Sequence, residues 1–316
     1  MHPPAPSPTA PRGFRPPRVP RVPGLPRTWR IGATRLVAAL ALGAALGGCS
    51  AVKLSYNNAP EMGYWWLDNH VDFRDDQTPA ARTRLAELLA WHRANELPEL
   101  AGLLEDAARR APDALAPAEV CAVDDAVRQR ILATARQASA SAATLVAGLD
   151  AAQVRRLEEK FAKSNADYAK EWLAPGPEGQ RRKRYDKDVE RFEDFYGRLD
   201  ASQRDVLREF AERSVSDPQR TDAERRRQQQ EVLTWLRDPA HRTRSEGEVR
   251  AAIDAYARRG IQPETGAWGT YRQALRQENC RKIAALHGTT RPEQRERAAR
   301  RLQGYAQDLR ELAATP

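Results

Sequence analysis

Three sets of side chains in this sequence have the types that chemistry needs. The first lies in "WLDNHVDF", where Asp68, His70 and Asp72 fall within five residues, with His92 further along. Two carboxylates flanking an imidazole could ligate a metal or move a proton. Alternate residues share a face only on an extended strand, however, and on a helix these three spread around the axis. The spacing therefore argues against a metal centre, and no cofactor is expected. A hydrolase or metal-dependent enzyme built on Asp68, His70 and Asp72, with His92, is the alternative to a non-enzymatic role. The second set is the cysteine pair Cys121 and Cys280. The third is Cys49, directly after Leu46-Gly47-Gly48. No G-x-S-x-G, H-E-x-x-H, P-loop or glycine-rich dinucleotide turn occurs in the chain.

Cys49 closes the most apolar stretch, "LVAALALGAALGGCS" (Leu36 to Ser50). As a helix, Leu36 to Gly48 would span roughly 20 Å, short of the ~30 Å hydrocarbon core. Arginines precede it and small residues end it, which is a signal-peptide pattern. Residues 1–30 are too rich in proline for helix and read as disordered. The ending resembles a bacterial lipobox: Leu46, two small residues, then cysteine. That resemblance implies diacylglyceryl transfer to the Cys49 thiol, cleavage before Cys49, and acylation of the new amine. Two or more acyl chains anchor stably where one is marginal. Ser50 takes the sorting position. The absence of Asp there favours the outer membrane. The chain thus divides into a cleaved leader (1–48), an acylated tether (49–60) and a periplasmic body (61–316), with a break within the body at "APGPEGQ" (174–180) the clearest candidate.

With Cys49 acylated, Cys121 and Cys280 remain. An oxidising periplasm favours a bond between them, and two buried free thiols are the other reading.

The formal charge of +9 suggests nucleic acid at first. Residues 1–48 carry seven arginines and no acid. Without them 45 basic residues face 43 acidic ones. A balanced surface gives no long-range pull on phosphates, so no nucleic-acid partner is expected.

The elements that must position these residues read as helices. Helix formers dominate after residue 78, and no alternating strand pattern appears. Thr78 and Pro79 read as N-cap and first helical residue, with a break at Pro98. Val120, Val123, Val127 and Ile131 mark one apolar stripe. Val154, Leu157, Phe161, Tyr168 and Trp172 mark a second, and Tyr185, Val189, Phe192, Tyr196 and Leu199 a third. The expectation is an all-α, extended bundle of about eight to ten helices. "LDAAQ" (Leu149 to Gln153) and "LDASQ" (Leu199 to Gln203) place Asp at N-cap and Gln at N3, with "TRPEQ" (Thr290 to Gln294) a looser version. Capping explains them. They also resemble the "LTxxQ" motifs of small helical periplasmic chaperones. Tyr64, Trp65 and Trp66 read as core anchors for the first helix, with a seat at a lipid interface as the other reading.

The segments "YNNAPEMGYWWLDNHVDF", "KFAKSNADYAKEWL", "FYGRLDASQ" and "NCRKIAALHGTTRPEQRERAARRLQGYAQDL" together resemble an uncharacterised family of proteobacterial lipoproteins. The resemblance implies lipidation and an all-helical body, and no ligand or catalytic residue. The expected role is a non-enzymatic interaction, scaffold or chaperone-like module. It would be held to the inner leaflet of the outer membrane by acyl chains on Cys49, and its partners would be envelope proteins or unfolded clients.

Overall fold

The computed structural model describes residues 52–263 and 265–315, and every regular element among them is helical. The leader 1–48, the lipobox Leu46 to Cys49 and Ser50 lie outside the described residues. The helices are α1 (residues 52–57), α2 (Ala59–Val71), α3 (Thr78–Asn95), α4 (Leu97–Arg110), α5 (Pro117–Ala147) and α6 (Ala151–Tyr168). A π-helical turn, Ala169–Leu173, leads to α7 (Gly176–Tyr196), α8 (Ala201–Arg213) and α9 (Pro218–Arg237). A 3-10 turn, Pro239–Thr243, precedes α10 (Glu246–Ile261), α11 (Gly266–Gly288) and α12 (Pro292–Ala314). Twelve α-helices thus form among the described residues, where periodicity suggested eight to ten. One addition is α1, whose residues the sequence had placed in the tether. Its end is held by the Asn58 side chain, which donates to the Leu54 carbonyl at 2.8 Å. The residues at 174–180 form a corner and the first turn of α7 inside one compact unit that runs on to Pro316.

Two hydrophobic clusters carry the body. One joins Val71 of α2, Leu149, Val154 of α6, and Leu233 and Leu236 of α9. The other joins Phe192 and Tyr196 of α7, Leu199, Leu207 of α8, Leu286 of α11 and Ala298 of α12. The heptad stripes of α6 and α7 feed these clusters, Leu157 and Phe161 into the first, Tyr185 and Val189 into the second. Helices α4 and α12 make the most extensive pairing. Ala101, Ala108, Ala299 and Ala306 are all buried there, and small side chains let two helix backbones approach closely.

Two local expectations fail. The α3 N-cap is Gln77 rather than Thr78, which is already helical. On α5 the buried line is Leu132, Ser139 and Ala143, while Val123 and Ile131 of the anticipated stripe are exposed. Helix α5 is crossed by α3, α4, α10 and α11. Close crossings select small residues such as Ser139 and Ala143 for its inner line and leave Val123 and Ile131 outside it.

Candidate functional site

Of the side chains singled out for acid–base or metal chemistry, Asp68, His70 and His92 each have another partner, and Asp72 serves through its backbone. Asp68 Oδ1 accepts from the Phe73 amide at 2.9 Å. Asp72 terminates α2 in the left-handed region at φ 56°, a conformation that Asp tolerates better than most residues. His70 Nδ1 lies 2.6 Å from the Trp66 carbonyl, and its ring packs on Trp66 with centroids 4.2 Å apart. His92 is half-buried, with Nδ1 2.9 Å from the Tyr56 hydroxyl. Burial lowers the His92 pKa and pushes Tyr56 up to about 12. Among the described residues, no side-chain hydrogen bond or ion pair joins Asp68, His70, Asp72 or His92 to one another, and no group of three metal-ligating side chains occurs.

The aromatic triplet divides. Tyr64 is buried, stacks on Phe73 and lies 3.0 Å from Thr78 Oγ1. Trp65 and Trp66 are 66% and 62% exposed. Their expected role as core anchors is therefore corrected. Three consecutive helical residues span about 200° of arc, more than one buried face can take.

Cys121 and Cys280 are bonded, joining α5 to α11 with Cα atoms 5.5 Å apart across a sequence separation of 159. Arg276 reinforces this junction, donating to the Cys121 carbonyl at 2.8 Å and to Asp124 at 2.7 Å.

The repeated capping sequences do more than cap. Asp150 and Asp200 are N-caps in full capping boxes with Gln153 and Gln203. Each glutamine then reaches a second helix start. Gln203 Nε2 donates to Gln294 Oε1 at 2.7 Å and to the Thr289 carbonyl at 3.0 Å. Gln294 Nε2 donates back to Gln203 Oε1 at 3.2 Å and to the Arg198 carbonyl at 3.3 Å. Arg291 closes the arrangement on Asp200 at 2.9 Å. The same clasp recurs at the other cluster. Gln153 Nε2 donates to Gln77 Oε1 at 2.7 Å and to the Asp72 carbonyl at 3.1 Å. Gln77 Nε2 donates to the Gly148 carbonyl at 2.9 Å, and Arg74 meets Asp150 at 3.0 Å. Position for position, Arg74 and Gln77 correspond to Arg291 and Gln294. The clasps bind α3 to α6 and α8 to α12 at their N-termini. Amide hydrogen bonds hold the Asp150 carboxyl below the usual range; at Asp200 the Ser202 hydroxyl does so first, then the Gln203 amide.

Sequence reasoning missed Arg74, Gln77 and His287. The signal was present: "HVDFRDDQ" and "HGTTRPEQ" share the pattern His-x3-Arg-x2-Gln, ending at Gln77 and Gln294. His287 is completely buried. Its Nε2 lies 2.8 Å from the Asp113 carbonyl, which can only accept, so Nε2 carries the proton and Nδ1 accepts from the Tyr196 hydroxyl at 2.9 Å.

One apolar cleft of about 390 Å³ opens between α6, α9 and α10, lined by Val71, Leu157, Val232, Trp235, Ile253 and Tyr256, with Glu231 and Arg259 also at its edge. Its size and lining suit a bulky apolar group.

Residues 69–247 match a family described as "Family of unknown function (DUF6279)". The match covers more than half of the chain, including the whole Arg74–Gln153 clasp and the apolar helices α6 and α9. No curated protein and no solved structure matches the chain.

Proposed function

This chain belongs to the DUF6279 family, and on that premise we propose that it is a lipid-anchored helical protein of the bacterial cell envelope that acts by binding. The observation that carries this reading is Leu46-Gly47-Gly48-Cys49, at the end of an apolar leader and directly before the helical body. On this reading the leader is removed, Cys49 is acylated, and Ser50 directs the protein to the inner leaflet of the outer membrane. The Cys121–Cys280 bond supports an oxidising compartment. The apolar cleft beside Trp235 and Tyr256 is the seat for a non-polar segment of an envelope partner or unfolded client.

Intact mass of the membrane-extracted protein tests the anchor. The expected mass begins at Cys49 and carries acyl chains, and a Cys49→Ala variant leaves the membrane fraction. An unprocessed or unacylated chain would end the lipoprotein reading. The binding role is tested with the purified protein and a reduced, aggregating client. Suppression of aggregation that is lost in Ile253→Asp supports the cleft; no suppression by the native protein rejects it.

A further inference from the structure

We infer that the outward face of α1 and α2 lies on the lipid bilayer, with Trp65 and Trp66 in its interfacial zone. This rests on the lipid-anchor reading above, and it adds a second, protein-borne contact that fixes how the body stands on the membrane.

The two helices follow each other with only Asn58 between them, and their inner face is pinned. Lys53 pairs with Asp308 at 3.3 Å and with Glu311, both on α12. Tyr56 meets His92, and Asn57 accepts from Arg93 at 2.9 Å. Tyr64 meets Thr78, and Val71 enters the first cluster. Residues 53, 56, 57, 64 and 71 recur at helical spacing, so the opposite face is committed to solvent or to something that replaces it. That face carries Leu54 (67% exposed), Met62 (57%), Trp65 (66%) and Trp66 (62%). These are four of the seven large hydrophobic side chains exposed among the described residues. Isolated exposed apolar residues are ordinary; a single stripe of large ones marks a contact.

The length of chain between the stripe and Cys49 identifies the occupant. Leu54 is five residues from Cys49, a reach of at most about 18 Å even when fully extended. An acylated Cys49 sits at the bilayer surface, so Leu54 is held beside it. From Leu54 to Trp65 is about 16 Å of helical rise. The whole stripe therefore lies within a short radius of the anchor. Tryptophan, with an apolar body and a polar N–H, is the residue that favours the headgroup boundary. Of the charges near the stripe, Glu61 pairs with Arg82 and Lys53 with two acids; Asp68, Asp72 and Lys160, which donates to Asn69, stand outside ion pairs among the described residues and are of mixed sign. Contact is thus governed by apolar burial, and it is indifferent to lipid charge and to salt.

The test uses the full acylated protein in phosphatidylcholine vesicles containing lipids with brominated chains, which quench tryptophan only at contact depth. Trp91, Trp172, Trp235 and Trp268 serve as internal controls. The expected result is quenching of the native protein that disappears in Trp65→Ser/Trp66→Ser, with unchanged acylated mass and with little change in high salt or on adding phosphatidylglycerol. Equal quenching of both proteins, or none in either, overturns the inference while leaving the anchor intact. Unmodified Cys49 by mass with differential quenching retained would overturn the anchor and uphold the face. Shielding of Trp65 and Trp66 from aqueous acrylamide in a lipid-free dimer would assign the stripe to a second copy of the chain and overturn the inference.

Discussion

Gln203 and Gln294, ninety-one residues apart, hold each other through both ends of their amides, at 2.7 Å and 3.2 Å. Neither amide has spare capacity. Each oxygen also accepts the backbone N–H of its own capping box, from Asp200 at 3.1 Å and Arg291 at 3.1 Å. Each nitrogen also donates to the loop before the other helix. A local capping device has become a tertiary one, because the N3 glutamine that closes one helix start reads the backbone of another. Gln77 and Gln153 repeat the arrangement.

Truncating Gln203 to alanine leaves the Gln294 amide, the Thr289 carbonyl and the Asp200 amide short of partners in a buried setting. We expect a loss of about 1–3 kcal/mol in urea unfolding, and a similar loss for Gln153→Ala. The two clasps share no residue, so the double variant should show the sum. Two single variants as stable as the native protein would show that the clasps are incidental.

His287 gives the fold an acid limit. Burial holds its pKa below the ordinary value, which is about 6.5. Below that pH the unfolded chain takes up a proton that the folded one resists, so the unfolded state gains. Stability is full above about pH 6.5 and declines as pH falls beneath it. His287→Gln should be less stable at pH 7, since Tyr196 and the Asp113 carbonyl lose a partner, yet should lose less between pH 7 and pH 5. His92, also lowered by burial, adds dependence of the same sign, and Glu96, raised by burial, adds the opposite. Parallel melting curves for native and variant across that range would rule out this assignment.

Breaking the Cys121–Cys280 bond should lower stability by about 2–5 kcal/mol through loop entropy alone. The helical content should persist, because Arg276 still bridges α11 to the Cys121 carbonyl and Asp124. Circular dichroism of the Cys121→Ser/Cys280→Ser protein during denaturant titration reads both quantities. An unchanged midpoint, or loss of helix before denaturant is added, would contradict this account.

Much of the architecture was legible because it is local. Asp150, Asp200 and Ser245 announce helix starts by side-chain type and by the residue three positions on. The apolar spacing of α6 and α7 predicts Val154, Phe192, Tyr196 and Leu199 as core, and they are buried. What escaped is what depends on partners distant in sequence. Gln77 shares its pattern with Gln294 but has Arg74, not Asp or Ser, three positions before it to mark a helix start, and its partner appears only when α6 arrives. Val123 and Ile131 satisfy the helical period yet face outward, because α5 is gripped along its small residues. Trp65 and Trp66 look like core by composition, and only the arc of the helix sends them away from Tyr64.

Helix α5 is fastened at both ends, at Cys121 by the bond to α11 and just past Ala147 by Gln77 on the Gly148 carbonyl. About 40 Å of helical rise separates the two fastenings. A pull on one end is carried to the other by a rod, without passing through a loop. In mechanical terms α5 is a tie beam: a load entering at one fastening reaches the other along the longest described helix, and the hydrogen bond at Gly148 yields before the covalent bond at Cys121.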